Sequence, residues 1–87
     1  MEEQTKKFEH DGVFYEIRLI RRMDGTFFLK DFRDGSPFTP FLYSIDKNVN
    51  VNHVENIIGT SLMKYMIAQV EEGIIFWLKY KNQLKFN

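Results

Sequence analysis

The residues of this 87-residue chain best suited to chemistry are basic and aromatic side chains interleaved between positions 14 and 33. Arginine and lysine grip phosphates and phenylalanine rings stack on unpaired bases, so both types on one sheet face are typical of single-stranded nucleic-acid binding. Glu16 and Asp31 lie in the same stretch and neutralise part of its charge. We favour the alternative, in which the phenylalanines are core residues and the arginines are solvated. The candidate nucleic-acid face consists of Arg18, Arg21, Arg22, Lys30 and Arg33, beside Phe14, Phe27, Phe28 and Phe32.

Histidines, serines and glycines show no spacing typical of a catalytic or metal site. His53 lies two residues before Glu55, and that spacing does not bring both side chains to one helix face. Zinc sites use three or four close ligands, and the chain has no cysteine. The serines lack a nucleophile-elbow context, and the glycines are too scattered for a phosphate-binding loop. We expect no metal and no cofactor, and an enzyme built on paired carboxylates is unsupported by the sequence.

Charge and composition restrict the class of protein further. Twelve basic and twelve acidic residues give a net charge of zero, which lacks the broad positive field of a non-specific nucleic-acid binder. The 44% apolar content is that of an ordinary globular protein. The longest apolar run, 74–78, is far shorter than the ~20 residues that span a bilayer, and we find no signal-peptide pattern. With cysteine absent, we expect a cytoplasmic protein that does not bind membranes.

Three Asp-Gly dipeptides, beginning at positions 11, 24 and 34, predict tight turns between β-strands. Asp-Gly readily takes the positive φ angles of hairpin turns, and each dipeptide is flanked by β-branched and aromatic residues. Strands joined by such turns pair antiparallel, so we predict a β-meander. Its four strands are predicted over residues 6–10, 13–21, 26–32 and 38–45.

Two details of the meander can be predicted from the sequence. Side chains alternate along a strand, so Tyr15, Ile17 and Leu19 are expected to face the core. Pro37 and Pro40 cannot donate to a sheet ladder. The fourth segment is therefore predicted to be an edge strand, or a loop that becomes a strand only after Pro40.

An amphipathic helix is predicted after residue 52. Its apolar stripe has helical spacing, Asn52 with Glu55 resembles a capping box, and Gly73 is the expected C′ residue. Gly59 lies inside this helix at a cost of ~1 kcal/mol relative to alanine, which indicates a close backbone approach. The predicted stripe consists of Val54, Ile57, Ile58, Ser61, Leu62 and Tyr65.

Residues 74–81 fit either a last strand or a continuation of the helix. Their β-branched and aromatic side chains favour a strand, whereas Leu78, Lys79 and a kink at Gly73 would allow the helix to continue. We predict the strand. The whole chain, 1–87, is then one small α+β domain of order β-β-β-β-α-β, frayed at residues 1–5 and 82–87.

A second apolar set on the helix and last strand is the candidate protein interface. If the sheet covers one helix stripe, the remainder is exposed, and contiguous exposed apolar patches usually mark interfaces. The alternative is a thicker core. With no catalytic motif found, we expect a non-catalytic protein-interaction or regulatory module, either a homodimer or the small partner of a larger protein, with nucleic-acid binding as the alternative. The candidate interface residues are Met63, Met66, Ile67, Val70, Trp77 and Tyr80.

Overall fold

The computed structural model describes residues 3–84 of the chain. It contains an antiparallel sheet followed by α-helices, which confirms the predicted α+β class. Of the ends expected to fray, residues 3–5 belong to a strand and residues 82–84 to a helix, and the others lie outside the described residues. The strands are β1 (Glu3–His10), β2 (Val13–Arg21), β3 (Phe27–Arg33), β4 (Ser36–Pro37) and β5 (Tyr43–Ile45), and the helices are α1 (Val51–Ile58) and α2 (Leu62–Leu84).

The first and third Asp-Gly dipeptides form two-residue hairpin turns, as predicted. Asp11 and Asp34 both have φ of 52°, and the glycines that follow, Gly12 and Gly35, have φ of 78° and 80°. Positive φ at both central positions matches the twist of antiparallel strands. These turns join β1 to β2 and β3 to β4, which are neighbours in the sheet.

The second Asp-Gly dipeptide lies in a longer connection between β2 and β3. Only Gly25 has positive φ there, at 92°. The Asp24 carboxylate accepts hydrogen bonds from the hydroxyl of Thr26 at 2.6 Å and from its backbone N–H at 2.9 Å. These bonds stabilise the charged form and hold the pKa of Asp24 below its ordinary value.

The edge of β3 pairs with two short strands, of which only β5 lies within the predicted fourth strand, residues 38–45. Phe32 is opposite Pro37 in β4, and Leu29 is opposite Tyr43 in β5. Residues 38–42 between them leave the sheet, as expected around Pro40, which has no N–H to donate. The alternative, in which the segment becomes a strand only after Pro40, is confirmed by the position of β5.

The segment predicted as one helix up to Gly73 begins with a separate short helix, α1. Gly59 is the C-cap of α1, with φ of 76°, and its N–H bonds to the carbonyl of Glu55. The glycine predicted to permit a close approach therefore ends a helix instead. The N-cap is Asn50 rather than Asn52, since the Asn50 side chain accepts the N–H of His53.

The predicted C-terminal strand is wrong, because residues 74–81 continue α2. Val70 and Ile74 lie on the same buried stripe, which runs unbroken through Gly73 and packs on the sheet. This tertiary packing overrides the local β-propensity. No helix within residues 3–84 is long and apolar enough to cross a membrane.

The core lies between α2 and one face of the sheet. Tyr15, Ile17 and Leu19 of β2 are at most 4% exposed, which confirms the predicted inner face. Leu29 of β3 is buried beside them. From α2 the buried side chains are Leu62, Met66, Val70 and Ile74.

Gly73 allows α2 to approach β5 closely. A Cβ atom at this position would collide with Tyr43 Oη and would lie 3.4 Å from the Phe41 ring. Burial, reinforced by the carboxylates of Asp31 and Glu72, raises the pKa of Tyr43. Gly73, which we predict to end the helix, instead lies inside it. Because glycine has no Cβ, the helix can pack closely against the sheet at this position.

Candidate protein interface and basic sheet face

The six predicted interface residues lie in different environments. Met66 and Val70 are 6% and 1% exposed and belong to the core, so a partner cannot reach them. Met63 and Ile67 are half-buried and pack against that core. Trp77 is also half-buried, whereas Tyr80 is 43% exposed. The accessible part of the prediction is therefore concentrated in the C-terminal half of α2.

Four aromatic rings contact one another in this part of the molecule. Trp77 stacks on Tyr80 with 5.4 Å between ring centroids, and Phe76 stacks on Tyr80 at 6.4 Å. Phe41, from the loop between β4 and β5, contacts Phe76 at 6.1 Å and Trp77 at 6.0 Å. These separations are typical of attractive ring pairs. We call Phe41, Phe76, Trp77 and Tyr80 the aromatic cluster.

Much of the aromatic cluster and its apolar neighbourhood is open to solvent. Phe76 is 52% exposed, and Leu84, two helical turns further along the same face, is 51% exposed. Leu42, next to Phe41 in the loop, is 56% exposed but lines a separate pocket with Phe28 and Ser44. The exposed apolar side chains that adjoin the cluster thus lie along one face of α2, at Phe76, Tyr80 and Leu84.

Lys81 packs against one side of the aromatic cluster. The Lys81 ammonium lies 5.8 Å from the ring centroid of Trp77 and 5.5 Å from that of Phe38, in cation–π contact. The indole N–H of Trp77 is buried and has no hydrogen-bond acceptor among the described residues. Ring and cation contacts, rather than a hydrogen bond, therefore hold this indole in place.

A groove of about 410 Å³ runs along the outer face of α2 beside the cluster. All of its lining residues come from α2, at spacings of three and four, so they share one helix face. This face is opposite the buried stripe. We call it the α2 groove, and it is lined by Glu72, Ile75, Phe76, Lys79, Tyr80 and Gln83.

Phe41 and Phe76 were not among the predicted interface residues. A strand over 74–81 would place Phe76 and Trp77 on opposite faces of a sheet. In the helix, both rings contact Phe41 and Tyr80. The four-residue spacing of Phe76 and Tyr80 is the sequence signal that fits a shared helix face. No local signal links either residue to Phe41, because that contact depends on the fold.

The predicted basic residues do not form one continuous surface. Arg18 and Lys30 are opposite each other on the outer face of the sheet, whereas Arg21 is paired with Phe27 and shares the inner face. Arg22 follows the end of β2, and Arg33 is the last residue of β3. Arg22 covers the outward-facing Phe28, so Arg18, Arg22 and Lys30 share the outer face, whereas Arg21 lies apart from them.

Three of these arginines cover phenylalanine rings. The guanidinium carbon of Arg18 lies 4.1 Å from the centroid of the Phe32 ring. The corresponding distances are 4.9 Å from Arg22 to Phe28 and 5.4 Å for Arg21 with Phe27. Each guanidinium occupies one face of a ring on which a base would otherwise stack.

Carboxylates neutralise part of the same basic set. Arg18 Nε lies 3.4 Å from the carboxylate of Glu16, and Arg33 Nε lies 4.0 Å from that of Asp34. Lys30 Nζ is 3.0 Å from Asp31 Oδ1. The net positive field around β2 and β3 is reduced accordingly.

Asp31 is a buried carboxylate that fastens the loop carrying Phe41. Its side chain accepts the backbone N–H of Thr39 at 2.7 Å and the Thr39 hydroxyl at 2.6 Å. Lys30 donates both to Asp31 and to the Thr39 carbonyl, the latter at 2.6 Å. From the sequence we expect Asp31 to be a counter-charge to the arginines. The structure makes it the anchor of residues 38–42.

These features define a small α+β domain whose distinctive surface is an exposed aromatic cluster beside a helix groove. Among residues 3–84, no three histidine or carboxylate side chains are grouped closely enough to hold a metal ion. Comparison with protein-family models, with curated proteins and with solved structures finds no match for the chain.

Proposed function

We propose that this domain is a non-catalytic protein-interaction module that forms a homodimer through the aromatic cluster and the α2 groove. The observation that carries the proposal is the contact of four aromatic rings at a surface where Phe76 and Tyr80 remain about half exposed. Aromatic residues are the types enriched in the cores of protein interfaces and among their energetic hot spots.

The physical argument is the cost of leaving this apolar surface in water. Burial of apolar surface is favourable by about 25 cal/mol per Å², so covering contiguous rings on a partner is a substantial driving force. Single exposed apolar residues are ordinary on protein surfaces, but contiguous patches are not. Phe14, which is 63% exposed on the face of the sheet away from α2, lies outside the cluster.

A second copy of the chain is the partner that we propose. Twofold symmetric dimers are by far the commonest assemblies of soluble proteins, since one patch covers itself on the other subunit. Regulation of a larger partner is then a secondary role of the same module. The chain has no cysteine, which suits a reducing compartment, and we place the association in the cytoplasm.

The test is light scattering after gel filtration over a range of protein concentrations. We expect a dimer whose dissociation is seen on dilution, and we expect Phe76→Ala to shift the equilibrium towards monomer. Phe14→Ala is the matched control, because it removes an exposed ring, 63% against 52% for Phe76, from the face of the sheet away from α2. The chain has one tryptophan, so its fluorescence reports directly on the aromatic cluster. A wild-type monomer at every concentration would contradict the proposal.

Single-stranded nucleic-acid binding is the second candidate, favoured by the three arginine–phenylalanine pairs of β2 and β3. Binding would require Arg18 and Arg22 to turn from the rings towards phosphates, and it would weaken steeply with added salt. The test is titration with labelled oligonucleotides at low salt, with an Arg18→Ala, Arg22→Ala double variant as control. Absence of binding by the wild-type protein rules out this candidate.

A further inference from the structure

The charges of the α2 groove are arranged so that the groove can pair with a copy of itself. Glu72 lies near one end of the groove, and Lys79 lies seven residues later on the same helix face. Seven residues are about two helical turns, or ~10 Å along the axis. Ile75 and Phe76 occupy the midpoint between the two charges. The groove therefore carries an acid, an apolar centre and a base in that order.

Both charged side chains are exposed, and no hydrogen bond or ion pair within residues 3–84 holds either of them. Glu72 and Lys79 belong to the exposed class, and neither takes part in a hydrogen bond or ion pair among residues 3–84. By contrast, the adjacent Glu71 is bound by Lys6 of β1 at 3.1 Å. The two charges of the α2 groove are thus free to meet a partner.

A twofold axis perpendicular to α2 at the midpoint between Ile75 and Phe76 makes this arrangement self-complementary. The axis reverses the direction of the second helix, so Glu72 lies opposite Lys79 of the partner subunit, and the reciprocal pair forms on the other side. Ile75 lies opposite Phe76 of the partner subunit in the same operation. A parallel arrangement would place like charges side by side, which is unfavourable.

We infer that two copies of the chain associate through antiparallel α2 helices, with the α2 grooves face to face and two reciprocal Glu72–Lys79 ion pairs around the Ile75–Phe76 centre. This inference rests on the proposed homodimer and specifies its symmetry and register. The apolar centre supplies affinity, while the charge pairs select the antiparallel register and exclude the alternatives. The occupant of the groove is therefore a second copy, not an unrelated helix.

Charge reversal tests the register. Glu72→Lys places two lysines opposite each other at both ends of the dimer, and Lys79→Glu does the same with two glutamates. We expect each single variant to weaken homodimerisation about tenfold, measured by analytical ultracentrifugation. Circular dichroism of each variant checks that the fold is retained.

Mixing the two variants is the decisive measurement. In a Glu72→Lys subunit paired with a Lys79→Glu subunit, both contacts are between opposite charges, so an equimolar mixture should form heterodimers about as tightly as the wild-type protein dimerises. Native mass spectrometry with one variant isotope-labelled measures the heterodimer fraction. The double variant, with both reversals in one chain, should also recover the wild-type affinity. Glu9→Lys and Lys7→Glu, exposed on β1, are control reversals that should show no preference for heterodimers.

The outcomes separate this inference from the proposed function. A wild-type monomer contradicts both. A wild-type dimer that tolerates each reversal unchanged contradicts the antiparallel register but leaves the homodimer standing. Weakening by single reversals without recovery in the mixture shows that the two charges do not face each other, and also overturns the inference.

Discussion

Two apolar stripes of α2 have the same spacing and opposite environments. One stripe repeats every four residues and is at most 6% exposed, because it packs on the sheet. The other repeats at the same interval and is roughly half exposed. The contrast shows that helical periodicity identifies an apolar stripe, while the position of the sheet decides whether the stripe is core or surface. The inner stripe consists of Leu62, Met66, Val70 and Ile74, and the outer stripe consists of Phe76, Tyr80 and Leu84.

Alanine substitution in each stripe should separate stability from association. Ile74 is fully buried, so Ile74→Ala removes packed atoms and leaves a cavity, and we expect a loss of about 3–4 kcal/mol in the free energy of unfolding. Phe76→Ala should cost about 1 kcal/mol or less in the monomer. Urea denaturation, at a concentration where the protein is monomeric, measures both. Equal losses would mean that the two stripes do not differ in role.

Removal of a buried charged group should likewise cost more unfolding free energy than removal of an exposed one. Asp31→Ala removes the buried acceptor of three hydrogen bonds and leaves Lys30 and Thr39 without it, and we expect a loss of about 3 kcal/mol. Glu16→Ala, which breaks the more exposed pair with Arg18, should cost about 0.5 kcal/mol or less. Chemical denaturation of the two variants gives the comparison. A small effect of Asp31→Ala would show that the loop holds its position without this anchor.

Gly73 tests how closely the inner side of α2 must approach the sheet. Gly73→Ala gains helix propensity, but its Cβ would collide with Tyr43 Oη, and we expect a net loss of about 1–2 kcal/mol. Tyr43→Phe removes the colliding oxygen, so the double variant should recover most of the loss. A double-mutant cycle of thermal denaturation curves measures the coupling. If the double variant is additive, the two residues are not in contact.

Tyr43 also predicts a small dependence of stability on alkaline pH. Its raised pKa means that the folded protein holds the phenolic proton more tightly than the unfolded chain, in which tyrosine titrates near pH 10. The resulting stabilisation is complete below about pH 10 and is lost as the pH rises through the higher folded pKa. Tyr43→Phe should flatten the fall in unfolding free energy between pH 9 and pH 11. A fall of the same steepness in Tyr43→Phe and in the wild-type protein would contradict this role of Tyr43.

The sequence was sufficient to predict features that depend on only a few neighbouring residues. The dipeptides Asp11-Gly12 and Asp34-Gly35 formed the predicted hairpin turns, because Asp-Gly tolerates positive φ without help from distant residues. The alternation in β2 also identified its buried face, since a one-residue slip would expose every inward side chain. Both features are decided within a strand and its turn.

Local signals failed where burial decides the outcome. Residues 74–81 carry strand-forming side chains, yet they lie in α2 because Ile74 completes a buried stripe on the sheet. Gly59 and Gly73 were also assigned to each other's roles, since a glycine permits a helix end and a close approach equally well. The tertiary structure decides between the two roles. A Cβ at Gly73 would meet Tyr43 and Phe41, whereas a Cβ at Gly59 would meet no atom within 4 Å.

The sequence by itself determined the antiparallel hairpins, the inner face of β2 and the α+β class, because turn chemistry and side-chain alternation act over a few residues. Only the tertiary structure decided that α2 continues past Gly73, that Asp31 is buried beneath the loop, and that Phe41 meets Phe76 and Trp77 at the surface. These contacts join residues distant in the chain, and their free energy is gained only after the sheet and helix have come together.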